Sequence, residues 1–262
     1  MNAPAADGAV HLRIEDGIAR VVFDRPLARN AMTWSMYQAL SAICDRLQNE
    51  SGVRVVSFRG AGGEAFVAGT DIVQFQAFQS GQDGVDYEAR IDDAMSRLEA
   101  LPMPTVAVIE GWAVGGGLAI ASACDIRIGT PAARLGVPIA RTLGNCLSIT
   151  NLARLVAAFG RPRVQRMLIG AEILDADEAK ACGFLAQVVE PESLDAAVTQ
   201  LCQRLAGLAP VTQAVTKEAL QRLMMHQLPD AQDLIRRCYG SEDFQEGVNA
   251  FAGKRSPVWH GR

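Results

Sequence analysis

The stretch from Thr105 to Gly129 constrains this chain more than any other part of its sequence. It opens with an apolar, mostly β-branched run, Val106 to Ile109, which is long enough for a buried strand and too short for an independent helix. Three consecutive glycines, Gly115, Gly116 and Gly117, then precede an uncharged run of residues that are compatible with a helix. The pattern predicts a buried strand, a glycine turn and a buried helix.

The glycine turn indicates a place where the backbone approaches a ligand. Glycine lets the chain pass close to a bound group, and the first N–H groups of a helix are unpaired and favour negative charge. No Lys-Ser or Lys-Thr pair follows the glycines, which excludes a P-loop. A developing oxyanion fits better than a phosphate. A simple tight turn explains three glycines equally well, so an oxyanion site needs a second amide donor.

The segment GGEAFVAGTDI, residues 62 to 72, supplies a candidate for that donor. The apolar strand end Phe66-Val67-Ala68 meets Gly69, and the following pair Thr70-Asp71 is typical of a helix start. A Gly-Ala-Gly sequence at residues 60 to 62 resembles a dinucleotide-binding turn. No long helix follows it, so this interpretation is rejected.

Three further segments complete a set of motifs: Asp24-Arg25-Pro26, Asn30-Ala31-Met32, and Phe251 to Trp259. In this order the motifs resemble the crotonase superfamily, the enoyl-CoA hydratase/isomerase family, over nearly the whole chain. The resemblance implies an α/β fold with a crotonase-like β-β-α spiral core over residues 1–200 and a C-terminal helical oligomerisation region over residues 201–262. It also implies an acyl-CoA thioester as substrate, no cofactor beyond the coenzyme A of that substrate, and a homo-oligomer, either a trimer or a dimer of trimers.

Composition excludes several other classes of protein. The chain has 262 residues, 49% of them hydrophobic, and a formal net charge of −4, so it can bury a large core and has no basic surface for nucleic acid. No run approaches the roughly 18 apolar residues of a membrane helix, and the first ten residues lack the features of a signal peptide. The six cysteines and three histidines show no metal-binding spacing. We expect a cytoplasmic protein without a metal ion, a membrane partner or disulfides.

Turn residues and periodicity predict the first elements of the chain. Asp16-Gly17 predicts a hairpin between residues 10–15 and 18–23, and Thr33 predicts the N-cap of a helix that ends near Asn49. Residues 71–78 and 85–101 are predicted as helices. The polar residues 80–84 between them are predicted as a loop, in a position suited to a mobile lid.

The last third of the chain is predicted to be helical and amphipathic. One helix carries an apolar side formed by Val211, Val215, Leu220, Leu223 and Met224. For a single helix, packing of such a side on its own domain is the simpler interpretation. The resemblance implies a second one, contact with a neighbouring subunit, and it places the tail from Phe251 to Pro257 near the neighbour's ligand site.

The resemblance also assigns residues to the site. In the family, two backbone N–H groups hold the thioester carbonyl, and motif by motif these fall on Ala68 and Gly116, whose small side chains leave the amides open. Segments that line the coenzyme A cleft in relatives contain Arg25, Arg29, Phe66, Asp71 and Ile72, and Lys254 matches a position that reaches a phosphate of coenzyme A. For Asp71, a role as an acid in the first turn of a helix is an equal alternative.

Two residues that hydratases of the family need are replaced. A glutamate is expected two residues after the last glycine, where this chain has Ala119, and another after the proline of Leu135 to Ile139, where it has Ile139 itself. Residues 113–124 and 132–149 contain no Asp or Glu, so a shifted alignment does not restore either. Loss of general acid–base help typically costs about 10²–10⁴-fold per group.

Three interpretations therefore remain open. The protein is an enzyme that stabilises a CoA-ester enolate and takes its acid–base group from elsewhere, or a weak enoyl-CoA hydratase, or a non-catalytic acyl-CoA-binding homologue. Asn145 and Ser148 are candidates to orient a substrate or water, with capping of the next helix as the alternative. The other groups considered for the pocket are Arg141, Thr142, Cys146, Glu110, Asp92 and Asp93.

Overall fold

The computed structural model of the protein describes residues 7–261. Residues 1–6 and 262 lie outside the described part. They are the start of the predicted spiral core and the last residue of the predicted C-terminal region. Residues 1–6 are also most of the segment used to argue against a signal peptide. The strands are β1 Ala9–Glu15, β2 Ile18–Asp24, β3 Val55–Gly60, β4 Ala65–Val67, β5 Thr105–Ile109, β6 Trp112–Val114, β7 Ile126–Gly129, β8 Arg134–Gly136, β9 Ile173–Asp175 and β10 Gln187–Val188.

The α-helices are α1 Trp34–Gln48, α2 Gly81–Glu99, α3 Gly116–Ala123, α4 Ile139–Thr142, α5 Ile149–Phe159, α6 Arg161–Leu168, α7 Ala176–Ala181, α8 Pro191–Ala206, α9 Pro210–Met224, α10 Gln232–Tyr239 and α11 Glu242–Ala252. Two 3₁₀ helices cover Pro26–Ala28 and Ile72–Ala77. In residues 7–261, no helix combines the length and hydropathy that crossing a membrane requires.

Two sheets form the core of the spiral. One sheet has the order β1-β2-β3-β5-β7-β10 and the other the order β4-β6-β8-β9. Three successive pairs, β3 with β4, β5 with β6, and β7 with β8, each place their first strand in the larger sheet and their second in the smaller. Helices α2, α3 and α4 follow these pairs. This repetition confirms the predicted spiral, and it brings the ends of β4, β6 and β8 to one edge.

Local sequence explains the elements near the N-terminus. Asp16 and Gly17 both have positive φ, 51° and 74°, and join β1 and β2 in an antiparallel hairpin. Thr33 caps α1 by accepting a hydrogen bond from the Met36 N–H. The predicted hairpin and the predicted first helix are confirmed.

The predicted loop at residues 80–84 is wrong, because α2 begins at Gly81. The Asp83 carboxylate accepts the N–H groups of Gln79 and Ser80 at 2.9 and 2.8 Å, which satisfies donors that a helix N-terminus leaves unpaired. These hydrogen bonds hold the pKa of Asp83 below its ordinary value. Polar composition alone suggested a lid, whereas the spacing of Ser80 and Asp83 specifies a helix start.

The C-terminal helices differ in how they contact the core. The α8 residues Leu194, Leu201, Cys202 and Leu205 pack against β3, β5 and β7 in a second buried cluster. Residue 200 lies inside α8, and the division predicted there stays a prediction. Helix α9 has no buried residue, and Val211, Val215, Leu220 and Leu223 are exposed. Packing of the apolar side of α9 on its own domain is therefore not observed.

Candidate active site

A cavity of about 800 Å³ lies where the loops after β2, β4, β6 and β8 meet α2, α3 and α5. The predicted site residues that line it are Arg25, Arg29, Ala68, Asp71, Ile72, Gly116 and Asn145, together with Ala119 and Ile139. The spiral thus brings together segments that are more than 100 residues apart in the chain. Three predicted residues, Phe66, Ser148 and Lys254, are not part of its lining.

The glycine turn forms one end of the cavity. Gly115 has φ 54° and ψ −122° and is the N-cap of α3, so Gly116 is the first residue of a helix, where the N–H has no intrahelical acceptor. A Cβ on Gly116 would lie 2.4 Å from the Tyr37 hydroxyl and 3.0 Å from Thr70 Oγ1. The close packing requires glycine here and places Gly116 directly beside Thr70.

The structure gives the Ala68 N–H a partner, since this group donates a hydrogen bond to the Arg29 carbonyl at 3.0 Å. Two residues further on, a parallel bridge pairs Thr70 with Met32: the Met32 N–H donates to Gly69, and the Asp71 N–H donates to Met32. Alternate N–H groups of an extended chain point in opposite directions. Within residues 7–261 the Thr70 N–H has no hydrogen-bond acceptor. Among the described residues, the amides of this loop without an acceptor are therefore those of Gly69 and Thr70, and Thr70 is the one whose side chain packs against Gly116. The sequence-based assignment to Ala68 needs correction, because the Ala68 N–H is already hydrogen-bonded.

The mouth of the cavity carries positive charge. Arg25 forms an ion pair with Asp71 at 2.8 Å, with both side chains 19% exposed. Asp71 also accepts the Val73 N–H at 3.1 Å and caps the 3₁₀ helix Ile72–Ala77, so the alternative role predicted for it is observed. Arg29 is exposed and adopts the left-handed conformation, with φ 49°. Because Asp71 offsets the charge of Arg25, the entrance keeps one net positive charge, that of Arg29, which suits a ligand with anionic groups.

The part of the cavity lining that comes from α2 carries a buried carboxyl group, Glu88, which sequence reasoning did not single out. The Tyr239 hydroxyl donates to Glu88 Oε1 at 2.7 Å, and the Ser148 N–H donates to Oε2 at 2.8 Å. Burial raises the pKa of Glu88 to about 7, although these hydrogen bonds act in the opposite direction. One signal was present in the sequence: Glu88 follows Val85 by three residues, on the apolar face of the predicted helix.

A second buried network lies behind Glu88. The Arg154 guanidinium is 2% exposed and donates to both oxygens of Glu99, at 2.7 and 2.9 Å, and to Asp92 at 3.3 Å. Ser148 caps α5 by accepting the Asn151 N–H and bonds to Asp92 through its hydroxyl. The alternative predicted for Ser148, a helix cap, is what the structure shows. Arg154 is committed to these partners, which leaves Glu88 without a cation.

Asn145 does not cap a helix. Its Nδ2 donates to the Tyr239 hydroxyl at 3.2 Å, while its Oδ1 is buried with no hydrogen-bond partner in the described structure. Ser122, which also lines the cavity, has its Oγ buried without a hydrogen-bond partner in the described structure. Buried polar atoms are usually hydrogen-bonded, so these two atoms are available to a polar group of a ligand.

The other candidate groups lie elsewhere or are occupied. Glu110 pairs with Arg59, Asp93 pairs with Arg97, and Arg141 is an exposed residue outside the lining. Thr142 lines the cavity and donates to the Pro138 carbonyl. Hydrogen bonding with Cys238 raises the pKa of the Cys146 thiol, which makes it a poor nucleophile.

Two residues predicted to contact coenzyme A, Phe66 and Lys254, are not part of the cavity lining. Phe66 is fully buried, and its ring packs edge-on against Phe23 at a centroid distance of 5.6 Å. Lys254 is exposed, after the end of α11. Within residues 7–261, His, Cys, Asp and Glu side chains form no cluster of three that could hold a metal ion.

Comparison with known proteins identifies the family of the chain. The family model of enoyl-CoA hydratase/isomerase matches residues 13–262. A short-chain-enoyl-CoA hydratase of Clostridium acetobutylicum is 31% identical over 250 residues, which cover 94% of this chain and 95% of that protein. The chain belongs to the enoyl-CoA hydratase/isomerase family.

Solved structures show the same fold. An enoyl-CoA hydratase from Mycobacterium avium subsp. paratuberculosis superposes with a TM-score of 0.82 at 28% identity, covering 98% of this chain and all of that one. A methylmalonyl-CoA decarboxylase in complex with 2-nitronate-propionyl-CoA superposes with a TM-score of 0.89 at 26% identity, covering 97% and 98% of the two chains.

Proposed function

We propose that this protein binds an acyl-CoA thioester and stabilises its enolate through the backbone N–H groups of Thr70 and Gly116. The observation that carries the proposal is the adjacency of these two residues at one end of the cavity, each with an N–H that has no acceptor in the described structure. Each well-aimed donor of this kind contributes on the order of 3 kcal/mol to stabilising a developing oxyanion.

The entrance supports coenzyme A as the carrier. Arg25 and Arg29 supply positive charge for its phosphates, and Ile72 offers apolar surface beside them. Family membership points in the same direction, because the relatives and neighbours named above act on CoA esters according to their names. The inner part of the cavity, lined mainly by apolar residues, would receive the acyl chain.

The reaction differs from ordinary enoyl-CoA hydration under this proposal. Ala119 and Ile139 line the cavity, and neither side chain transfers a proton. The resemblance implies that hydratases of the family carry glutamates at these two positions. The protein is therefore proposed as an acyl-CoA lyase or isomerase that uses the amide pair with a different acid–base group.

Decarboxylation of an α-carboxyacyl-CoA is a second candidate. Loss of CO₂ leaves the same enolate without abstraction of a proton, so it makes no use of the two missing glutamates. The high structural similarity to a methylmalonyl-CoA decarboxylase favours this candidate. Release of CO₂ from methylmalonyl-CoA by the purified protein would distinguish it from an isomerase.

Binding and enolate formation can be tested with butyryl-CoA, which has no double bond to hydrate. Isothermal titration should show saturable binding, and incubation in D₂O should replace the α-hydrogens of the thioester by deuterium, as measured by mass spectrometry. Binding without exchange would favour the decarboxylase or the non-catalytic homologue, which the release of CO₂ from methylmalonyl-CoA distinguishes. Absence of binding by butyryl-CoA and longer CoA esters would contradict the proposed function.

The assembly is proposed as a trimer or a dimer of trimers. The exposed apolar residues of α9, Val211, Val215, Leu220 and Leu223, are the surface that supports contact with further copies of the chain. Lys254 would approach a neighbour's site in such an assembly. A monomer in multi-angle light scattering at micromolar concentration would contradict it. A cytoplasmic location and the absence of a cofactor remain predictions from the sequence.

A further inference from the structure

Two carboxyl side chains line the cavity in the described part of the chain, Asp71 and Glu88. Asp71 is at the mouth and is paired with Arg25. Glu88 is in the inner wall, 2% exposed, and has no ion-pair partner among residues 7–261, since the nearby Arg154 pairs with Glu99 and Asp92. An unpaired buried carboxyl is unfavourable for stability, so its presence in the cavity calls for a reason other than stability.

The Glu88 carboxyl is held in one orientation by three elements of the fold. It belongs to α2, accepts a hydrogen bond from Tyr239 at the end of α10, and accepts another from the N–H of Ser148, the cap of α5. The Tyr239 hydroxyl is fixed in turn by Asn145. A group that exchanges a proton with a bound ligand needs a fixed position of this kind.

The same helix is connected to the amide pair. Tyr87, the residue before Glu88, contacts Thr70 Oγ1 through its hydroxyl at 3.1 Å. Thr70 Oγ1 also contacts the Tyr37 hydroxyl at 2.9 Å, and this hydroxyl packs against Gly116. Glu88 and the two N–H groups therefore face one cavity from walls that are joined by direct hydrogen bonds.

We propose that Glu88 is the catalytic residue that exchanges a proton with the acyl chain of the bound thioester. The inference rests on the proposed function, because it requires a thioester held by Thr70 and Gly116. It assigns the acid–base role to a position on α2, in place of Ala119 and Ile139.

The step balances without any other reactant. The Glu88 carboxylate takes the α-proton; the C–H bonding pair becomes the double bond between the α-carbon and the carbonyl carbon, and the carbonyl π pair moves to oxygen. The resulting enolate oxygen accepts hydrogen bonds from the Thr70 and Gly116 N–H groups, and Glu88 is left as a carboxylic acid. Return of a proton to the same carbon reverses the step, and return to the γ-carbon of a β,γ-unsaturated chain completes an isomerisation.

Glu88→Gln separates this role from a structural one. Glutamine has the same shape, and its Oε1 can still accept one hydrogen bond from the Ser148 N–H or the Tyr239 hydroxyl, but it does not take up a proton. Exchange of the α-hydrogens of butyryl-CoA in D₂O should fall at least about 10²-fold, the lower range for loss of a general base. The dissociation constant from isothermal titration should change by less than about threefold, because Glu88 acts on the reacting carbon and not on the coenzyme A.

Asp93→Asn is the matched control. It removes a carboxylate from the same helix, but Asp93 is exposed and paired with Arg97 outside the cavity. This variant should exchange at the wild-type rate. Glu88→Asp, which keeps the carboxyl group and withdraws it by one methylene, should retain more exchange than Glu88→Gln.

The outcomes are distinct. Wild-type exchange that persists in a folded Glu88→Gln protein would overturn the assignment of Glu88 and leave the proposed function intact. Wild-type protein that binds butyryl-CoA but exchanges nothing would overturn it as well. Failure of the wild-type protein to bind CoA esters would overturn the proposed function itself.

Discussion

The amide groups and the carboxyl group of the cavity are built from different parts of the chain. The amide wall, Thr70 and Gly116, consists of backbone groups placed by two short glycine motifs. The carboxyl wall is Glu88, and it is held by hydrogen bonds from Ser148 and Tyr239, which lie 60 and 151 positions further along the sequence. The amide wall depends on the backbone alone, whereas the carboxyl wall depends on an individual side chain. We infer that the fold fixes the enolate and that the side chains choose the reaction.

A substitution in the amide wall should reduce α-hydrogen exchange more than a substitution in the carboxyl wall. Gly116→Val would place side-chain atoms in contact with the Tyr37 hydroxyl and Thr70 Oγ1, which crowds the position of the thioester oxygen. We expect at least a 10³-fold loss of α-hydrogen exchange, because both donors are disturbed together. The control is Gly52→Val, where a Cβ meets nothing within 4 Å.

A fold defect in Gly116→Val can be separated from a defect in the site. In the double variant Gly116→Ala with Tyr37→Phe, the hydroxyl that a Cβ would approach is removed. This protein should keep the far-ultraviolet circular dichroism of the wild type while exchange remains impaired. Full activity of Gly116→Val would place the oxyanion site elsewhere.

The carboxyl wall should be visible in the pH dependence of stability. Because burial raises the pKa of Glu88 to about 7 from an ordinary value of 4.5, the folded protein holds this proton more tightly than the unfolded chain. The contribution of the protonated Glu88 carboxyl to the unfolding free energy is fully present below pH 4.5 and is lost as the pH rises to 7. Relative to wild type, Glu88→Gln should gain about 3 kcal/mol in unfolding free energy between pH 4.5 and pH 8.

Urea unfolding of both proteins at the two pH values measures this change. The titratable groups that surround Glu88 are the same in both proteins: Asp92, Tyr37, Tyr87, Tyr239, Cys146 and Cys238. Equal differences in unfolding free energy at both pH values would show that Glu88 ionises as an ordinary exposed carboxyl.

The smallest expected effect is a gain of function. Ala119→Glu together with Ile139→Glu would supply the two carboxylates that the resemblance implies for hydratases, and crotonyl-CoA hydration should rise about tenfold over wild type. Either substitution alone should gain little, because the two groups act as a unit. A gain from a single substitution equal to that of the pair would show that one carboxylate suffices in this cavity.

Much of the fold, and the glycine turn of the site, could be predicted from local sequence. The hairpin at Asp16-Gly17, the cap at Thr33 and the glycine turn before α3 are specified by neighbouring residues. Neighbouring residues do not specify the choice between Ala68 and Thr70, because this choice depends on a bridge to Met32, more than 30 residues away. Glu88 was missed for the same reason: its partners come from α5 and α10, and only the folded chain shows that its face of α2 borders a cavity.

The most direct test of the whole account is the rate of crotonyl-CoA hydration by the wild-type protein, followed by loss of the conjugated thioester absorbance. It should be measured beside the Clostridium acetobutylicum short-chain-enoyl-CoA hydratase under identical conditions. The family resemblance implies that Ala119 and Ile139 replace two cooperating glutamates, and we therefore expect a rate at least about 10³-fold lower than that of the relative. A rate in the same range as the relative would contradict it and would mean that this cavity performs ordinary hydration with other groups.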